Sequence, residues 1–359
     1  VRHQGPMMCD EDRSNAPPAP FADLGVFRRM IPTWQPVSHG LSSFSCLILR
    51  FVFPLFLRGL FSRLQKGCPV SFEDRIAKLE CWKGRPIIEP LKGGLSTSSF
   101  KVRDFTGDHV VRIGADIPVH HVNRKQERAV SLAAAQAGFS PAVSYFEDDL
   151  LVIDFIHGQT MTEADIQRRL DSIIDLLADV HAKTAKLLRG RVSTFWVFHV
   201  LRDYLSQLNA LDDDLSKIEK IISSLEDLQV PLPIVIGHHD LLPANLIDDG
   251  KRLWLIDWEY GGFGTAMFDL ANLASNGSLN EANETELLER YFKTDPSPQL
   301  LKAFDAMKIA SALREMLWAK ISAIHLNLPG VDYSAHEANY RKRSAETIKN
   351  FEMKYGCTL

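Results

Sequence analysis

The apolar pattern of this chain changes period near Gly158, and a fold made of one kind of element cannot accommodate the change. From Ser71 to about Asp154, short apolar stretches end in turn residues; beyond Gly158, apolar residues recur at three- and four-residue spacing. Ser99–Arg103 and His109–Ile113 read as strands joined by the turn-rich link Asp104–Asp108. Val143–Phe146 and Leu150–Asp154 read as a second hairpin around Glu147, Asp148 and Asp149. The alanine-rich stretch Val122–Ala137 reads as a helix stopped by Gly138, and Phe72–Cys81 as a short helix with Ile76 and Leu79 on one face. Past Gly158, Ile166, Leu170, Ile173, Ile174, Leu177 and Val180 make one helical stripe. Thr160 with Glu163, or Thr162 with Asp165, would cap it. Further helices are expected over 196–209, 213–227, 284–293 and 298–325, with a strand pair, Asn245–Ile247 and Leu253–Asp257, among them. The pattern predicts an α+β, bilobal chain. A small mixed β lobe (71–156) is followed by a larger helical lobe (157–359), and ligands favour the cleft between such lobes.

Residues 1–70 differ from the rest. Prolines crowd residues 1–40, which show little apolar periodicity, so the segment reads as an extension that is disordered or loosely packed. The apolar run Leu47–Leu57 is broken by Arg50 and Pro54 and is about half of the roughly 20 residues a membrane-spanning helix needs, so no stable membrane insertion is expected. Forty-one basic against forty-five acidic side chains exclude a globally basic nucleic-acid binder. The five cysteines form no close pair, which points away from a disulfide scaffold or structural zinc and towards the cytoplasm.

The chemistry is concentrated in Gly237-His238-His239-Asp240-Leu241-Leu242-Pro243-Ala244-Asn245, followed by Ile256-Asp257-Trp258-Glu259. Phosphoryl transfer needs a carboxylate to take the proton of an attacking hydroxyl, and oxygen ligands to hold magnesium on the nucleotide phosphates. Asp240 and Asn245 have the Asp-to-Asn spacing of a protein-kinase catalytic loop, with His238 two residues before the Asp. A hairpin then returns the chain to Asp257, where the kinase metal-binding Asp would stand. Asp240 is therefore the candidate base, and Asn245 and Asp257 are the candidate magnesium ligands. Glu259, two residues on, would point the same way on a continuing strand and serve as a further metal or substrate ligand.

Residues 71–359 resemble the choline/ethanolamine kinase family, within the wider aminoglycoside phosphotransferase-like kinases. The resemblance is carried by the catalytic loop, by Ile256-Asp257-Trp258-Glu259-Tyr260, by Phe268-Asp269-Leu270-Ala271 and by Leu91-Lys92-Gly93-Gly94-Leu95-Ser96. It implies a bilobal protein-kinase-like fold, ATP with magnesium (Mg2+), and a small amino alcohol as acceptor. At His239 the family usually has Asn.

Gly93, Gly94 and Ser96 would then form the nucleotide loop, with free backbone N–H groups for phosphate. Arg112, where the family often carries Arg, would grip phosphate oxygens and pair with Glu127. The backbone of Phe155 and Ile156 would meet the adenine edge. His238 and Asp269 would buttress the loop, and His181 is read as a packed core histidine. On the acceptor side, Trp318 falls where the family places a choline-facing Trp, with Glu315 on the same helical face. Ile321 stands where a second Trp is usual, so Tyr260, Phe263 or Tyr291 would complete the cage. The activity expected is an ATP-dependent choline or ethanolamine kinase. Thiamine and aminoglycoside phosphotransferases share the chemistry, and a nucleotide-binding pseudokinase scaffold is the reading from another class.

Overall fold

In a computed structural model, the protein is described over residues 71–91, 97–208, 213–326 and 331–359, and at 213 and 214 by backbone alone. The expected extension at 1–70 and the loop residues Gly93, Gly94 and Ser96 lie outside the described residues. The described chain belongs to one compact unit, Pro69–Leu359.

Five strands form an antiparallel sheet in the order β1 (Ile87–Leu91), β2 (Ser98–Asp104), β3 (Gly107–Ile113), β5 (Leu150–Asp154), β4 (Val143–Phe146). Strand alternation decides what each face carries. Phe100, Val102, Val111, Ile113, Leu150 and Val152 point to one side and close a small core with Ile76 and Leu79. Arg112, between Val111 and Ile113, is thereby turned to the opposite side. There α2 (Arg124–Gln136) runs, its first turn capped by Asn123, whose side chain accepts from the Gln126 N–H. The β2–β3 link is tighter than expected: β2 extends to Asp104 and β3 begins at Gly107. The Asp104 carboxylate accepts from the Thr106 N–H at 2.8 Å, an Asx turn.

The helical stripe beyond Gly158 forms two helices, α3 (Glu163–Arg168) and α4 (Leu170–Leu187), separated at Arg169. Of the two caps considered, Thr162 with Asp165 is the one made, as a reciprocal capping box. Then follow α5 (Val197–Ser206), α6 (Asp213–Asp227), α7 (Ala266–Asn276), α8 (Glu281–Phe292), α9 (Pro298–His325) and α10 (Tyr333–Tyr355). The α9 helix is buried from Ala303 to Ser322 on nearly every side, because α5, α7 and α10 all pack on it. A helix covered on every side belongs inside a core, and its buried charges, Asp305, Arg314 and Glu315, are paired there. Among the described residues no helix is long and apolar enough to cross a membrane.

Three short strand pairs lace the helical part together. Ile234–Gly237 (β7) pairs with Gly262–Thr265 (β10), and β6 (Gln159–Thr160) pairs with β8 (Leu246–Asp248), which pairs with β9 (Leu253–Leu255). The last strand stops at Leu255, two residues short of the expected Asp257, because the backbone turns left-handed there (φ 69° at Asp257). Phe72–Cys81 is helical only to Ile76.

The core prediction follows from α4. Leu177 is fully buried in the large helical cluster, so Leu177→Ala should cost about 2–5 kcal/mol. Urea unfolding should show a lower midpoint at unchanged m-value; a shift under about 0.5 kcal/mol would be that of a surface position.

Candidate active site

The loop after β7 is held from behind by one helix face. Asp269, in the first turn of α7, accepts from the backbone N–H groups of His238 and His239, both at 2.7 Å. The His181 Nε2 of α4 donates to the same carboxylate at 3.0 Å. One turn further along α7, the Asn272 Oδ1 accepts from the Leu241 N–H at 2.6 Å. Burial alone would raise the Asp269 carboxyl, but the His181 hydrogen bond, with His239 and His238 beside it, holds it below the usual carboxylate range.

His238 is a brace, as expected. Its Nδ1 accepts from the Asp240 N–H at 3.3 Å, so the proton sits on Nε2, which donates to the Ile256 carbonyl at 2.8 Å. His239 adopts φ 65°, stacks on Phe195 at 4.3 Å between ring centroids, and donates from Nδ1 to the Tyr260 carbonyl at 3.0 Å. The ring fits because Gly237 lies under it: a Cβ there would come within 2.4 Å of Nε2. Burial lowers its pKa to about 4, so the imidazole is neutral near pH 7.

This scaffold brings the candidate residues together. The Asn245 Nδ2 donates to the Asp240 carbonyl at 2.8 Å and to its Oδ2 at 3.2 Å, which leaves the Asn245 side-chain oxygen free of that contact. The Ile256 N–H donates to the Asn245 carbonyl at 3.0 Å, which carries Asp257 to the same place. Burial pushes the Asp240 carboxyl up, with Glu315, Asp257 and Glu259 adding to the rise and Arg314 opposing it.

Arg112 reaches across from β3. Its Nη2 lies 2.6 Å from the Asp257 Oδ1, 3.4 Å from Glu127 and 3.9 Å from Glu259. The expected Arg112–Glu127 pair is present, yet the shorter contact is to Asp257. Arg124, unremarked in the sequence, donates to Glu127 at 2.7 Å and to Glu259 at 3.1 Å. The strand expected to carry Asp257 and Glu259 on one face does not continue: the left-handed turn at Asp257 breaks the two-residue alternation, and the Glu259 carboxylate lies against Arg124, with Arg112 shared between the two acids. Burial raises the Glu259 pKa, with Asp257 adding to the rise.

The donors left for a cation are Asp257 and the Asn245 side-chain oxygen. The buried Asp257 Oδ1 has no hydrogen-bond partner, only the ion contact to Arg112. That set fits magnesium, which takes one or two protein oxygens and completes its shell with water and phosphate. No cluster of three His, Cys, Asp or Glu at metal-holding distance exists among the described residues.

Of the backbone groups of Phe155 and Ile156 expected to meet adenine, the Phe155 N–H already donates to the Asp108 carbonyl at 2.9 Å. Arg112, Glu127, Ile153, Ile256 and Asp257 line one small cavity. Larger cavities, about 390 and 450 Å³, are lined by none of these residues.

On the acceptor side, the Trp318 Nε1 donates to the Tyr260 Oη at 3.0 Å, and Glu315 meets His336 at 3.5 Å. Burial would raise the Glu315 carboxyl, but Arg314 and His336 hold it below its usual value. One face of Tyr260 carries the Arg314 guanidinium, 4.3 Å from the ring centroid, so that face is closed to a bound cation. Tyr291 is not in the cage; it bonds the His181 Nδ1 at 2.7 Å. The rings around Trp318 are instead His120 at 5.3 Å, His336 at 5.7 Å and Tyr333 at 6.0 Å. Sequence reasoning missed all three. Tyr333 and His336 begin the helix that follows the one carrying Trp318, and only the packing of the two helices brings them to it.

Comparison with known proteins gives the family and relatives of the same fold. The profile of the phosphotransferase enzyme family (APH) matches residues 87–305. The chain is similar to a Protein LicA of Haemophilus influenzae, 23% identical over 210 residues; the match covers 55% of this chain and only 61% of LicA. It is 26% identical over 276 residues to a probable ethanolamine kinase of Arabidopsis thaliana, covering 66% of this chain and 73% of the relative. Its fold is similar to the crystal structure of a choline/ethanolamine kinase family protein from Mesorhizobium loti. There the TM-score is 0.62 and the identity 26%, with 77% of this chain and 93% of the other covered.

The Asp269 clamp predicts an acid signature. Its native pKa lies below the unfolded value of about 3.9. The unfolded chain therefore binds the extra proton first, and stability falls as pH drops below about 4. In Asp269→Asn that part of the decline should be missing and the protein less stable at pH 7, as thermal midpoints between about pH 3 and 7 would show. A parallel offset at every pH would exclude the ionised clamp.

Proposed function

Since the chain belongs to the phosphotransferase enzyme family, we propose that it transfers the γ-phosphoryl group of ATP to the hydroxyl of a small amino alcohol, choline or ethanolamine. The observation that carries the reading is the meeting of Asp240, Asn245 and Asp257 on one clamped loop and its hairpin, with Arg112 facing them from the sheet.

In this reading, residues 71–156 form the nucleotide-binding lobe and 157–359 the catalytic and acceptor-binding lobe. Gly93, Gly94 and Ser96 cover the phosphates, and the Ile156 backbone meets adenine. Arg112 gives up its contact to Asp257 when a phosphate oxygen arrives, and Glu127 keeps the guanidinium in place. Magnesium, held by Asn245 and Asp257, would neutralise charge on the phosphates. Asp240 accepts the proton of the acceptor hydroxyl. Its raised affinity for protons suits that task, since a general base works best with a pKa drawn towards the operating pH. Glu259 secures Arg124 and Arg112 rather than the metal.

The acceptor cation lies against Trp318 and Glu315, with His336 and Tyr333 completing the surround in place of the second Trp. Tyr260 acts there as the hydrogen-bond partner of the Trp318 indole.

Three substitutions test the assignment. Asp240→Asn should lower kcat by about 10²–10⁴-fold, as loss of a general base does, while calorimetric nucleotide binding stays near wild type. Near-normal turnover would remove Asp240 from the reaction. Asp257→Ala should abolish the magnesium dependence of nucleotide binding in the same calorimeter. Trp318→Ala should raise KM for choline or ethanolamine by about 3–30-fold, the range of a lost cation–π contact, and leave KM for ATP in place. Equal rises in both would make Trp318 a packing residue. A panel of choline, ethanolamine, thiamine and aminoglycosides with ATP and magnesium identifies the acceptor.

A further inference from the structure

Arg314 is 2% exposed, yet its guanidinium sits against the candidate base. Its Nη1 lies 3.4 Å from the Asp240 Oδ1 and also donates to the Glu315 Oε1. The guanidinium carbon lies over the Tyr260 ring, whose hydroxyl is fixed in turn by the Trp318 indole N–H. The two oxygens of Asp240 thus have different keepers. Asn245, five residues on, holds Oδ2; Arg314, from the distant α9, holds Oδ1.

We propose that Arg314 is a positioning residue for the reaction, fixing the rotation of the Asp240 carboxylate through a guanidinium bridge to Glu315 braced on the Tyr260 ring. This rests on the reading of Asp240 as the base. The electrostatics require such a bridge: Glu315 is buried and the Asp240 side chain is only 14% exposed, and two carboxylates side by side repel unless a cation stands between them. Without Arg314, Asp240 keeps only the Asn245 contact and turns away from Glu315, out of line with the acceptor hydroxyl. A displacement of about 1 Å at such a group can cost about 100-fold in rate.

The bridge is made by one nitrogen. Nε and Nη2 are buried and have no hydrogen-bond partner, so Asp240 receives a single N–H and a charge. A lysine ammonium can supply both, although it cannot stack flat on Tyr260. Arg314→Lys should therefore recover part of what Arg314→Met loses, a pattern that simple loss of packing would not give.

The experiment measures kcat and KM for Arg314→Met, Arg314→Lys and each combined with Asp240→Asn. The assays are phosphorylation of the best acceptor in the panel and hydrolysis of ATP by water without acceptor. Nucleotide binding by calorimetry and thermal melting report on folding. Arg314→Met is expected to lower kcat about 100-fold with KM for ATP within about twofold, and Arg314→Lys to regain about tenfold of it. In the Asp240→Asn background, neither substitution should cost more than about twofold, because the group to be positioned is already disabled. Additive losses there, or a change in KM alone, would overturn the proposal. If Arg314→Met does not fold, Arg314→Lys with and without Asp240→Asn decides by the same additivity criterion. A wild-type chain that hydrolyses ATP but phosphorylates no amino alcohol would sink the acceptor reading and leave Arg314 to be judged on hydrolysis. A chain inactive in both assays would sink the kinase reading and Arg314 with it.

Discussion

The arrangement depends first on one buried carboxylate. Asp269 binds the two successive backbone N–H groups that precede Asp240, and a third donor, His181, braces it from α4. A hydrogen bond to a charged group contributes about 1.5–3 kcal/mol, and a buried backbone N–H left unpaired costs about 1–3 kcal/mol. The backbone at His239 can therefore stay in the left-handed region, sparsely populated by residues other than glycine. That conformation turns Asp240 out of the β7 direction and towards Asn245. Without the clamp the loop would have no reason to keep this shape, and the spacing between Asp240 and Asn245 would guarantee nothing about their distance.

A second constraint acts from the sheet. The two-residue alternation that buries Val111 and Ile113 in the small core obliges Arg112 to face the other way, towards Asp257 and α2. Packing on one face of β3 thereby delivers a cation to the other. Arg124, at the start of α2, comes to the same cluster because Asn123 caps that helix in the turn immediately before it. Local devices, a strand period and a helix cap, thus fix contacts that span more than a hundred residues, such as Arg124 to Glu259.

Most of the elements were legible in the sequence because their signals are local. The β4–β5 hairpin and the helices α6 and α9 fall where periodicity and turn residues put them. The four-residue strands β7 and β10 were not legible, since two of the four residues of β10 are glycine and neither strand alternates for long enough to register. Within the site, Asp240, Asn245 and Asp257 were found by spacing, and Asp269 by the family resemblance. For Glu259 the alternation argument fails for a geometric reason: it holds only while the strand continues, and φ at Asp257 ends it. Arg124, Arg314, His120 and His336 were missed for the opposite reason. Each reaches the site by tertiary packing between elements distant in sequence, and an arginine on a buried helix carries no local mark of its partner. The ring of aromatic residues around Trp318 shows the same limit, since His120 and Tyr333 come from opposite ends of the chain's order.

The arginines explain why so many acids can share one buried place. Five carboxylates, Glu127, Asp240, Asp257, Glu259 and Glu315, are interleaved with three guanidinium groups, Arg112, Arg124 and Arg314. With all of them ionised the cluster is acidic, which is consistent with the upward drift of Asp240 and Glu259. Each guanidinium touches at least two carboxylates, so removing one exposes two acids to each other as well as to a loss of attraction. Breaking a buried pair by deleting one partner costs about 3–5 kcal/mol in general, and here the cost is shared. Arg112 and Arg124 both contact Glu127 and Glu259, so the effects of substituting them cannot be additive. Arg314 serves Asp240 and Glu315 with no carboxylate in common with the other two, but Asp257 and Glu259 act on Asp240 through space, which couples the two groups of arginines. The cluster thus divides into two halves, one beside the sheet and one on α9, each with one carboxylate more than its guanidinium groups, that meet where Asp240 and Asp257 come together on the loop and hairpin that Asp269 holds in place.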